Sequence, residues 1–120
     1  LLSSPKLYKN IVRLSQDMRL PYVVPSYKTS SVLDVAALIE KLNLVISPDT
    51  SIVHIASAFN KPVISIHENN QDSYQLFAPI SELNRTVFAK SQKGIKDFSV
   101  PLLLKYSDEL MKLINKSHND

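Results

Sequence analysis

The chain has 120 residues, 44% of them hydrophobic and 21% charged, with a formal net charge of +3. These values suit one globular domain large enough to bury a core, and no apolar run approaches the roughly 20 residues that span a bilayer. Cysteine is absent, which excludes disulfides and thiolate metal sites and is compatible with a reducing cytosol, and the scattered lysines form no basic stripe of the kind nucleic acid requires.

Pro5 to Met18 carries Leu7, Ile11, Leu14 and Met18 at helical spacing behind Ser4 and Pro5, which predicts a helix. Tyr22-Val23-Val24, between Pro21 and Pro25, reads as a short buried strand. Ser30 or Ser31 then caps a helix to about Leu42, with Val32, Val35, Ala36 and Ile39 on one stripe. Leu44 to Ser47 is the next strand. Asp49 or Thr50 opens a helix to about Asn60, whose buried stripe is Ile52, Ile55, Ala56 and Phe59. Pro62 to Ile66 is a strand apolar enough to be covered on both faces. Residues 67–81 are irregular, with one helical turn near Ser73 to Phe77; Thr86 to Ala89 is a further strand. From Ser99 to Lys116 a helix carries Leu103, Tyr106, Leu110, Leu113 and Ile114 toward the sheet. The alternation predicts an α/β, Rossmann-like three-layer domain with a mostly parallel sheet of four strands.

A strand, a polar turn, a helix and another strand between Leu44 and His67 form a βαβ unit. Its turn, Pro48-Asp49-Thr50-Ser51, therefore lies at the C-terminal edge of a parallel sheet, where open α/β folds bind ligands. With Gly94 the single glycine, no Gly-rich phosphate loop exists, so any phosphate has to be held by a helix N-terminus. Asp49 reads first as an N-cap and, compatibly with that, as part of an anion-receiving helix start with Thr50 and Ser51. At 100° per residue, Thr50, His54 and Ser57 fall opposite the apolar stripe, so His54 could donate to a phosphate or a sugar hydroxyl. His67 and Glu68 follow the next strand at the same edge and are cleft candidates. His118, near the end of the tail, receives no role. The histidines lack metal-ligand spacing and no serine sits in a nucleophile elbow.

The run Ser47-Pro48-Asp49-Thr50-Ser51-Ile52-Val53-His54-Ile55-Ala56-Ser57-Ala58, followed by Lys61-Pro62-Val63-Ile64, resembles the Asp-Thr-Gly-x-x-His-(Leu/Ile)-Ala-Ala signature of glycosyltransferase family 9, the heptosyltransferase-like enzymes. The preceding residues 29–39 resemble the helix before that signature, so the likeness spans about residues 28–66. The resemblance implies half of a GT-B fold. Residues 1–120 would then be most of the C-terminal nucleotide-sugar-binding domain, the chain opening on Leu1-Leu2 being part of a longer protein with an N-terminal acceptor domain.

The resemblance also implies inverting transfer of heptose or a related sugar from a nucleotide-diphospho-sugar such as ADP-heptose. The acceptor would be the lipopolysaccharide or lipooligosaccharide core, and the reaction would need no tightly bound metal or other cofactor. Asp49, Thr50, Ser51 and His54 would hold the donor, and the base would come from the N-terminal domain, leaving this chain alone inactive. The expected location is cytoplasmic, at the inner face of a Gram-negative inner membrane. The chain departs from the pattern with Ser51 in place of glycine, and with His67-Glu68-Asn69-Asn70 in place of Gly-Pro-Thr. Tyr74 stands near the family's downstream tryptophan. The departures point to a non-standard donor or acceptor, such as a hexose or a lipooligosaccharide variant, or to lost activity. The competing readings are a non-catalytic α/β binding or scaffold module and a GT-B sugar-nucleotide epimerase.

Overall fold

A computed structural model describes the backbone of residues 1–119 and the side chains of residues 1–117; the side chain of His118 lies outside the described residues. By its contacts the chain divides into residues 1–37 and residues 38–120. A 3-10 turn, Pro5–Leu7, precedes α1 (Tyr8–Met18), and α2 (Val32–Glu40) runs across the division. Then follow β1 (Val45–Pro48), α3 (Ser51–Ala58), β2 (Val63–His67), α4 (Gln71–Phe77), β3 (Asn84–Phe88) and α5 (Val100–Asn119). The fold is α/β and Rossmann-like, with a parallel sheet in the order β1-β2-β3.

In the first unit the α1 stripe is only partly covered. Leu7, Leu14 and Met18 are exposed, Leu14 to 51%, and Ile11 and Val12 are half-buried. The predicted strand at Tyr22 to Val24 does not form; Val23 donates to Leu20 in a turn and Tyr22 is 78% exposed. Pro21 and Pro25 remove the donors on either side, and the Val24 carbonyl bonds only the amino group of Leu1 (2.9 Å). The sheet therefore has three strands, not four. At α2 the predicted serine cap is present: the Asp34 N–H donates to Ser31 Oγ (3.3 Å), and Ser30 donates back to the Asp34 carboxylate through N–H (3.0 Å) and hydroxyl (2.8 Å).

In the second unit β2 is buried along its whole length, as its apolar run predicts. Its residues alternate between two covered faces. Ile64 and Ile66 face α5, where Ile64, Val87 and Leu110 form the centre of the core, flanked by Leu102, Leu103 and Tyr106. On the opposite face Ser65 bonds Thr86 (3.1 Å) and Tyr74 of α4 reaches the same hydroxyl (3.1 Å). Helices thus cover both faces of the sheet. Arg85 near the start of β3 pairs with Glu109 of α5 (3.3 Å), so this strand begins on polar residues that apolar patterning passed over.

The buried side of α3 is Val53, Ala56 and Ser57, with Ile52 and Ile55 half-covered; Phe59 is exposed, contrary to its predicted place in the stripe. Ser57, predicted on the polar face, is buried because its hydroxyl accepts the Ile80 N–H (3.2 Å) and so braces the segment between α4 and β3. A Schellman turn ends α3, with Lys61 N–H on Ala56 C=O and Asn60 N–H on Ser57 C=O (both 2.9 Å). Asn60 adopts φ 51°, a left-handed conformation that asparagine tolerates.

Leu110 is fully buried against Ile64 and Val87. Leu110→Ala should lower unfolding free energy by about 3 kcal/mol, from lost transfer energy plus the cavity left behind. Urea denaturation of the chain measures it; a loss under about 1 kcal/mol would mean that α5 does not anchor the sheet.

Candidate functional site

The parallel registers align the strand ends. Pro48 lies beside Ile66 and His67 beside Phe88, and the pairing continues past the strands as Asp49 N–H to Ile66 C=O (3.1 Å) and Ala89 N–H to His67 C=O (2.8 Å). Asp49 is thereby the register neighbour of His67, and both side chains leave on the same face because opposite residues of paired strands point the same way. Their side chains meet, with His67 Nε2 3.0 Å from Asp49 Oδ2. The approach does not have the geometry of an aligned hydrogen bond, and among the described residues Nε2 has no other partner.

His67 is not a loop residue. It is the last residue of β2 and only 1% exposed. Its ring packs edge-on against Tyr74 (centroids 5.5 Å) and Phe88 (6.2 Å), and Nδ1 lies 2.8 Å from the Glu68 carbonyl. The expectation of an open cleft position fails for it because the ring fills the gap between α4 and β3.

Thr50, not Asp49, is the N-cap of α3: its hydroxyl accepts the Ile52 N–H (3.3 Å) and lies 3.2 Å from the Ser47 hydroxyl. Asp49, turned to His67, leaves that role to Thr50. Ser51 is the first helical residue and exposed, so the helix start with its unpaired N–H groups faces outward. His54, one turn on, is exposed and meets only the edge of Phe77 (centroids 6.3 Å). Asp49, Thr50, Ser51 and His54 thus share one helix start.

Glu68 begins the loop after β2, and its carboxylate accepts the Gly94 N–H (2.9 Å) across from the loop after β3. Asn69 N–H donates to Ser91 C=O (2.8 Å), fastening the same two loops together, and Asn70 caps α4 by accepting the Ser73 N–H (3.1 Å). Gly94 needs its lack of a side chain here, since φ is +86°. Asp97 closes the second loop by accepting from the N–H of Lys90 (3.1 Å) and from the Ser91 hydroxyl (2.9 Å).

Among the described residues no three or more histidine, aspartate and glutamate side chains gather as metal ligands, and no helix is long and apolar enough to cross a membrane. A depression of about 570 Å³ in the first unit is lined by Pro5, Lys6, Tyr8, Lys9, Val12 and Lys28, and includes none of the predicted site residues.

The family model described as glycosyltransferase family 9 (heptosyltransferase) matches residues 18–105. The chain belongs to glycosyltransferase family 9. The match is wider than the signature, reaching from the end of α1 to the first turns of α5. No curated protein and no solved structure matched. Within this family 9 domain Asp49 to Ser51 and His54 lie along one helix start, Asp49 turned to His67 and His54 to Phe77. The pairing of Asp49 with His67 was missed. The signal was present in the equal length of the two strand-to-turn segments, which puts both residues at one height once the strands are paired in parallel.

The Ser91 hydroxyl, foremost, together with its N–H and that of Lys90, holds the Asp97 carboxyl below its ordinary value. A carboxylate lowered in the folded state contributes stability that is complete above the unfolded value of about 3.9 and is lost as pH falls through the lower folded one. The amide signals of Lys90 and Ser91 should therefore hold constant from pH 7 to about 4 and move only below it. Movement centred well above pH 4 in a proton–nitrogen NMR titration would contradict the bonding described for this loop.

Proposed function

We propose that this chain is the donor-binding domain of an inverting glycosyltransferase of the GT-B architecture, with an N-terminal acceptor domain elsewhere in the same protein. Its donor is a nucleotide-diphospho-sugar carrying heptose or a related hexose, and its acceptor the sugar core of lipopolysaccharide or lipooligosaccharide, met at the cytoplasmic face of the inner membrane. The observation that carries this reading is the outward-facing start of α3, at the ligand-binding edge of the sheet, inside the segment matched by the family.

Each residue has a role its chemistry allows. The free N–H groups at the start of α3, with the Thr50 and Ser51 hydroxyls, take the diphosphate, because the helix N-terminus carries partial positive charge that spreads no further than the first turn. His54, exposed one turn along, donates to a phosphate oxygen or a sugar hydroxyl. Asp49, an acceptor, suits a hydroxyl of the ribose or of the sugar rather than the phosphates. Negative charge that builds on the departing diphosphate during displacement is stabilised by these fixed donors. The base that takes the acceptor's proton lies in the N-terminal domain, so this chain alone binds donor without turning it over.

Titration with ADP, UDP and GDP should move the amide signals of Thr50 and Ser51 and select one base. Asp49→Ala combined with His54→Ala should weaken the selected nucleotide about tenfold or more, the effect of losing a charged acceptor and a donor. No shift near Thr50 with any of the three nucleotides would sink the donor assignment and favour a binding module without donor chemistry.

A further inference from the structure

His67 stands apart from the roles assigned above. It is a fully buried histidine at the sheet edge, and its Nε2 is without an aligned partner and 3.0 Å from Asp49. We propose that His67 is a positioning residue whose protonated ring holds the Asp49 carboxylate and keeps the start of α3 receptive to an anionic ligand. Anion binding there then weakens as His67 gives up its proton. The proposal rests on the reading of that helix start as the site of the donor's diphosphate.

The geometry carries it in three steps. Nδ1 lies 2.8 Å from the Glu68 carbonyl, which can only accept, so Nδ1 keeps its proton whether the ring is neutral or charged. Nε2 therefore carries a proton only in the imidazolium. A carboxylate oxygen is also only an acceptor, so the 3.0 Å approach of Asp49 Oδ2 is attractive with that proton in place and repulsive without it. The ring cannot turn away, since Tyr74 and Phe88 meet it edge-on and rotation would break the bond to Glu68.

The electrostatic consequence falls on α3. With His67 charged, the Asp49 carboxylate is neutralised and fixed through Oδ2, with its other oxygen left for a ligand hydroxyl. With His67 neutral, Asp49 stands as a full negative charge one residue before the N-cap, competing for the N–H groups that a phosphate would use and repelling it. Among the described residues His67 is the ion-pair partner of Asp49, the Glu68 carboxylate is turned to Gly94, and the Tyr74 hydroxyl is bonded to Thr86. Phe88, from β3, is uncharged.

The test has an unliganded part and a liganded part. In the free chain, the ring nitrogens of His67 and the side-chain carboxyl carbon of Asp49 are followed by NMR between pH 5 and 8, the span in which histidine changes charge. A shared midpoint supports the latch; an Asp49 signal that ignores the His67 transition overturns it. Affinities for ADP and for inorganic pyrophosphate are then measured across the same range for the wild type and His67→Gln, whose amide cannot titrate. The ratio of wild-type to variant affinity removes the ligand's own ionisation, and it should fall about tenfold as pH rises through the midpoint.

ADP binding with a flat ratio overturns the role of His67 and leaves the donor reading standing. Pyrophosphate binding with the expected fall, in the absence of any ADP binding, overturns the nucleotide reading and supports His67. Binding of neither anion overturns both. Should His67→Gln fail to fold, His67→Phe, which removes both nitrogens while keeping a ring between Tyr74 and Phe88, takes its place, and the ratio of wild-type to variant affinity must show the same tenfold fall.

Discussion

The parallel register of the three strands determines nearly everything that concerns function. Pairing Pro48 with Ile66 and His67 with Phe88 brings the strands to an end side by side, so the loops that follow open at one edge. The register in turn depends on β2 being buried on both faces: a slip of one residue would turn Ile64 away from Leu110 and Val87 and drive Ser65 into that core. Packing between the sheet and α5 is thus what sets Asp49 beside His67. The same register puts Ser65 against Thr86, so the face beneath the site is a short polar ladder rather than an apolar layer.

Above that ladder each loop is fastened by hydrogen bonds instead of by burial. Thr50 caps α3, Asn70 caps α4, and Glu68 and Asp97 hold the loop around Gly94. Short acceptor side chains can do this because the N–H groups at helix starts and in tight turns have no partner within their own element. The outcome is a set of fixed loops at the sheet edge in a domain with one glycine.

The elements of this fold were legible in the sequence wherever periodicity and turn chemistry agreed. The Asp49-Thr50 turn, the apolar run of β2 and the long stripe of α5 each gave the right element, and the family signature lay on the first two. The reading failed where burial depends on partners distant in sequence. Ser57 is hidden because Ile80 donates to it, and no helical wheel contains Ile80. Phe59 is exposed, although its spacing matches the stripe, because the Schellman turn through Asn60 ends the helix there. Tyr22 to Val24 had the composition of a strand but prolines on both sides, and a strand exists only with a neighbour to bond. His67 was placed in a loop because polarity was taken as exposure; its neighbours on α4 and β3 bury it instead.

That last error bears on how the family signature is to be understood here. A buried histidine costs desolvation unless its polar atoms are satisfied, and this one has a carbonyl on one side and a carboxylate on the other. Asp49 and His67 are therefore coupled: either changed alone leaves the other buried or half-buried without its counterpart, the costly case for an ion pair. The signature aspartate is thus tied to the sheet beneath it. Substitutions at residue 67 should accordingly be read through Asp49 and the start of α3 before any direct contact with the donor is invoked.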